Sequence, residues 1–158
     1  MGALRYLKNS VIIAVVVSFL GTGLAAFNAY MTARNRTGIS YILHLMSITT
    51  LAIPGIVLGL SYVMFFKGSF IYGTLAMIIL VNSMHFFASP YLMAYNTFGK
   101  INENLEDVGA TMGISRWKII RDVLLPLSAG TMLEMISYFF VNCMMTISAV
   151  SFLASSAV

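Results

Sequence analysis

The stretch EDVGATMGISRWKIIRDVLLP, residues 106–126, is an island of charge in a chain otherwise almost bare of it. Of 158 residues, 59% are hydrophobic and 9% charged, where soluble domains carry about a quarter charged residues. Eight of the fourteen Lys, Arg, Asp and Glu residues (Lys100, Glu103, Glu106, Asp107, Arg116, Lys118, Arg121, Asp122) fall between positions 100 and 122. At mid-bilayer each would cost about 2.5–3.5 kcal/mol, on the order of 20 kcal/mol together. The island therefore lies in water, and the uncharged runs around it lie in a membrane.

Working outward, four apolar runs are long enough for a span, which needs about 20 helical residues. Val11–Ala33 carries no charge; Ile39–Phe66 carries only His44 as a titratable base and is interrupted by Pro54; Gly68–Gly99 contains Pro90, which should end or kink its helix; and the run from Val123 to the C-terminus holds one acid, Glu134. The expected fold is all-α, a polytopic transmembrane helix bundle of at least four spans with a water-exposed helix-turn-helix loop. The close at SFLASSAV lacks a charged flank, so a truncated C-terminus with at least one further helix beyond it is expected. Arg5 and Lys8 before an apolar stretch imitate a secretory signal, but three more apolar runs follow and the first is long for such a segment. The one cysteine, Cys143, excludes an internal disulfide.

Short-loop Lys and Arg set orientation. Placing residues 100–122 in the cytoplasm also places Arg34 and Arg36 there, with six basic residues inside and Arg5, Lys8 and Lys67 outside.

Within the island, Asn104 is placed to cap a short helix whose third residue is Asp107, close to a capping box. Leu105, Val108, Gly109 and Met112 then share one helical face, made shallow by Gly109. Gly113 is placed as a left-handed stop, and Ser115 as the cap of a second helix with Trp117, Ile120 and Leu124 along one side, closed by Pro126. Two short helices about a glycine fit either an interfacial hairpin anchored by Trp117 or an element that docks into a groove on a soluble partner.

The segment LEDVGATMGISRWKIIRDVLLPLS resembles the EAA loop of permease subunits of binding-protein-dependent ABC importers, the MetI-like family. In that register Asp107 stands at the Glu position, Val108 and Gly109 at the two Ala positions, Gly113 at the glycine, and Leu125 with Pro126 at the closing Leu-Pro. Asp for Glu and Val-Gly for Ala-Ala are departures; Glu106 offers a second acid. LAIPGIVLGLSYVMFF (51–66), YGTLAMIILVN (72–82) and MMTISAVSFL (144–153) look like segments of the ferric iron and phosphonate type permeases.

The resemblance implies one transmembrane permease domain over 1–158, with 100–126 as the cytoplasmic coupling loop in a bacterial-type inner membrane. It implies cytoplasmic ABC ATPase subunits, a second permease half and an extracytoplasmic solute-binding protein as partners, besides the lipid bilayer, and no nucleic acid. By analogy Asp107, with Glu106, pairs with a base on the ATPase, Gly109 and Gly113 allow close approach, and Trp117 braces the second helix. The chain contains no GxxxxGK[ST] phosphate loop, so no cofactor is expected in it and ATP belongs to the partner subunit. Asn82, His85 and Tyr91 around the Pro90 bend, and the intramembrane acid Glu134, are candidates for a solute path, with ordinary packing as the simpler account of the histidines. Two other classes fit the same residues: an ion-coupled secondary transporter or channel working through Glu134 or His85, and a membrane scaffold whose loop recruits a soluble protein.

Overall fold

A computed structural model describes the backbone of residues 2–35 and 37–156 and the side chains of residues 7–35 and 37–147. Arg36, the side chain of Arg5 and the side chains of the SFLASSAV tail, on which parts of the orientation count and of the truncation expectation rest, lie outside the described residues. The elements are α1 (Gly2–Arg34), α2 (Gly38–Thr49), α3 (Gly55–Phe66), α4 (Leu75–His85), α5 (Ala88–Lys100), α6 (Leu105–Thr111), α7 (Arg116–Ile119), a π turn (Ile120–Leu124), α8 (Leu125–Leu127) and α9 (Ala129–Ser156). The described residues contain no strand, so the all-α expectation holds.

The four apolar runs do not become four continuous helices. Leu7–Arg34 of α1 and Ala129–Ile147 of α9 are each long and apolar enough to cross a membrane, and α4 with α5 makes a third span if the pair is counted as one despite a 51° bend. The Ile39–Phe66 run divides at Pro54 into α2 and α3, of 12 residues each. Such helices are about 18 Å long, short of the ~30 Å hydrocarbon core. Pro54 cannot continue α2 because its ring meets the carbonyl four residues back, so it opens α3 instead. Pro90 acts likewise: it sits in the first turn of α5, where a missing N–H is harmless, and the bend falls just before it at Phe86 and Phe87.

α1 is the central helix, packed against α9, α5 and α4. Ala25 and Ala29 meet Met135 of α9 and Tyr91, Ala94 and Phe98 of α5 in one buried cluster, while Ile13, Ala14 and Val17 meet Phe139 and Cys143 in another. Low numbers on α1 face high numbers on α9, so the two run antiparallel. Ala14, Gly21, Ala25 and Ala29 recur at helical spacing and bring the backbones close. At Gly21 the approach is tightest: a Cβ there would lie 2.7 Å from the Phe139 ring. At the loop end of the bundle the Thr97 and Thr131 hydroxyls hydrogen-bond at 2.9 Å, joining α5 to α9.

By contrast α3 buries no residue and touches α4 alone among the well-contacted elements. Ile56 is 85% and Phe65 81% exposed. Such a helix is stable only against lipid or another apolar surface.

Candidate functional site

The charged loop begins where α5 ends at Lys100. Ile101 is extended, and the Asn102 side-chain oxygen accepts the Asn104 N–H at 3.0 Å, making a turn that starts α6. Asn104 itself is helical in backbone and makes no side-chain cap bond. The capping box expected from Asn104 and Asp107 does not form, because the Asn102 turn has already committed Asn104 to the helix.

α6 stops at Gly113, which has φ +72. The Ile114 N–H reaches Gly109 O at 2.8 Å and the Gly113 N–H reaches Ala110 O at 3.1 Å, the paired bonds of a Schellman motif. Ser115 then caps α7, its hydroxyl accepting from the Lys118 N–H at 3.4 Å. Gly113 and Ser115 thus take the backbone roles read from the sequence.

The two helices close on each other through Gly109. It is buried, and a Cβ at that position would run into the Ile119 side chain. The close approach that Gly109 permits is therefore internal to the loop, between α6 and α7. Beyond Ile119 the helix widens into a π turn, with the Leu125 N–H bonded to Ile120 O five residues back. Pro126 explains the register: it has no N–H to offer Asp122 O, and the wider turn absorbs the irregularity before α8. Ser128, buried, returns its hydroxyl to Leu124 O at 2.7 Å as the chain turns into α9.

Burial divides the loop into an inner and an outer face. On the inner face Glu106 is buried and forms an ion pair with Arg34, the last residue of α1, with Oε1 3.3 Å from Nε; the side chains are 7% and 6% exposed. Arg34 also donates through Nη1 to Ile101 O and Asn102 O, both at 3.1 Å. The pair is not well aligned as a hydrogen bond, and both Glu106 oxygens with Arg34 Nε and Nη2 lack hydrogen-bond partners among the described residues. Around it lies a cleft of about 290 Å³, lined by Tyr30, Arg34, Glu103, Glu106, Asp107 and Arg116 among others. Removing one member of such a buried pair strands the other, at a cost of about 3–5 kcal/mol. Arg34 also places its charge at the C-terminal end of α1, where the helix dipole favours a cation.

Asp107 is exposed at the edge of that cleft, and Val108 (55% exposed), Met112 (71%) and Trp117 (71%) are exposed on the outer face. Trp117 therefore does not brace the second helix; that place belongs to Ile119 and Leu124, which are buried. Sequence periodicity assigned Val108 and Met112 to the same face as Gly109, whereas α6 turns Glu106 and Gly109 inward. A buried ion pair and a missing Cβ decided the face, and neither registers as hydrophobicity.

The solute-path candidates are not gathered into one site. Asn82 is buried and donates to Ile78 O of its own helix at 2.9 Å. His85 lies edge-on to Phe86 and its ring fills the space beside Gly55 of α3, 3.0 Å from where a Cβ would stand. Tyr91 is fully buried and binds elsewhere: its hydroxyl lies 2.8 Å from Thr32 Oγ1 and 2.7 Å from His44 Nδ1, with the His44 ring also tilted against Tyr95, centroids 4.5 Å apart. Glu134 lies on an exposed face of α9. The Thr32–Tyr91–His44 chain links α1, α5 and α2 across 59 and 47 residues of sequence, a separation no local spacing can signal. Among the described residues no three His, Cys, Asp or Glu side chains come together as cation ligands.

These features define an integral membrane protein: an apolar helical bundle that carries one folded, charged hairpin at the end of its central helix. Residues 21–158 match the model of the binding-protein-dependent transport system inner membrane component, and the chain belongs to that family. It is similar to a putative ferric transport system permease protein of Haemophilus influenzae, at 29% identity over 157 residues, which are 98% of this chain and 25% of that protein. A ferric transport system permease protein of Actinobacillus pleuropneumoniae is 28% identical over 157 residues, 98% of this chain and 23% of the relative. The chain thus spans about a quarter of the length of these relatives.

Proposed function

We propose that this chain is part of the permease of an ATP-driven importer, and that residues 100–126 are its contact with a cytoplasmic ATPase subunit. The observation that carries this reading is the exposed surface of the loop, where Asp107 stands free of the buried pair and Val108, Met112 and Trp117 are exposed as well. An exposed acid and exposed apolar groups on one rigid helical hairpin suit a groove that offers a base and an apolar floor. The Schellman stop at Gly113 and the Ile119–Gly109 contact keep that face in one shape without the partner, which lowers the ordering cost of docking. Binding and hydrolysis of ATP belong to the partner, and a second permease half and an extracytoplasmic binding protein complete the assembly. The loop faces the cytoplasm of a bacterial-type inner membrane. Following the two ferric relatives, the solute is ferric iron.

The test is uptake into proteoliposomes holding the chain with its ATPase subunits, second half and binding protein. Asp107→Lys and Gly113→Trp should abolish ATP-driven uptake of ferric iron while the protein remains folded and membrane-inserted. Uptake that ignores ATP, follows a proton gradient and requires Glu134 would instead establish an ion-coupled carrier, and an ATPase that binds with no effect on any flux would establish a scaffold.

A further inference from the structure

We propose that Arg34 is a positioning residue that ties the loop to α1, so that motion of the loop is passed to the central helix as well as to its chain neighbours. Covalently the loop continues only from α5 and into α9. Across to α1, the Arg34 side chain grips it at three places: the Ile101 and Asn102 carbonyls at the loop's entry and the Glu106 carboxylate on its first helix. The grip is rigid on both sides. Arg34 ends a 33-residue helix whose inner face is buried, and Glu106 is held on α6 by the Gly109–Ile119 contact and the Gly113 stop. A planar guanidinium can serve separated acceptors at once, which a lysine ammonium at the same place cannot match. Glu106 is thereby withdrawn from any partner, leaving Asp107 as the exposed acid of α6.

This proposal rests on the coupling reading of the loop. Its experiment uses the assembled complex and four variants: Arg34→Gln, Arg34→Lys, Glu106→Arg and the exchange Arg34→Glu with Glu106→Arg. Two readouts accompany each, solute moved per ATP hydrolysed and the distance between spin labels at Met31→Cys on α1 and Thr111→Cys on α6, both exposed positions, in a Cys143→Ser background. Arg34→Gln and Glu106→Arg should keep the ATPase bound but lower transport per ATP at least tenfold and broaden the label distances; Arg34→Lys should fall between; the exchange, which restores the ion pair but not the two bonds to the carbonyls, should recover part of what Glu106→Arg loses. Arg34→Gln within twofold of the parent with unchanged distances overturns the proposal, as does an exchange no better than the worse single variant. If instead Asp107→Lys and Gly113→Trp leave ATP-driven uptake intact, the coupling reading has failed, and any effect of Arg34 is architectural.

Discussion

Gly109 and Gly113, four residues apart, are glycines for different physical reasons. Gly109 makes room for Ile119, whereas Gly113 supplies a positive φ with open space around it. Gly109→Ala should therefore act by overpacking, at about 1–3 kcal/mol, and be relieved by Ile119→Ala. Gly113→Ala should cost roughly 1–2 kcal/mol through the left-handed backbone alone, with no relief from any neighbour. Thermal unfolding of the detergent-solubilised protein, with the double variants alongside, separates the two. Tyr91→Phe is a third residue-level case. It removes the hydroxyl shared by Thr32 and His44 while keeping the ring; Thr32 keeps its bonds to the α1 carbonyls, but His44 Nδ1 loses its partner, which costs about 1–3 kcal/mol, and the loss should appear as faster amide exchange in α2, which the tyrosine ties to the core.

Among elements, the α1–α9 contact is the one most exposed to a change of size, because Phe139 lies directly over Gly21. Gly21→Val should drive the helices apart and lower the unfolding temperature, and Phe139→Leu in the same protein should restore part of it; no recovery would place the strain elsewhere. The elements also show what was legible in advance. Charge cost placed residues 100–122 outside the bilayer, the paired glycine and serine marked the end of α6 and the start of α7, and Pro54 and Pro90 marked the breaks just before them, all of them local effects that composition and spacing carry. The inward face of α6 was misjudged because Glu106 is buried through a partner 72 residues earlier. Tyr91 was assigned to the Pro90 bend with His85, yet its hydroxyl bonds across to α1 and α2. Pairings across helices leave no period to read.

For the molecule as a whole, stability is unevenly placed: α1, α5 and α9 share the buried clusters while α3 lies outside them. Amides of α3 should exchange with solvent well before those of α1 when the chain is held in detergent, and equal protection would mean that α3 finds cover in a second chain. The π turn at 120–124 carries a consequence for chain length. It holds one residue more than an α-helical path would use. Deleting one residue there, together with Pro126→Ala, should leave α7 and α8 as a regular helix with the exposed face of the hairpin and the start of α9 still in line, and the thermal stability of the detergent-solubilised protein retained. The same deletion inside α5 would rotate everything beyond it by about 100° and separate Phe98 from its cluster. Length can therefore vary at this one point of the hairpin, and nowhere in the helices on either side, without resetting which faces meet.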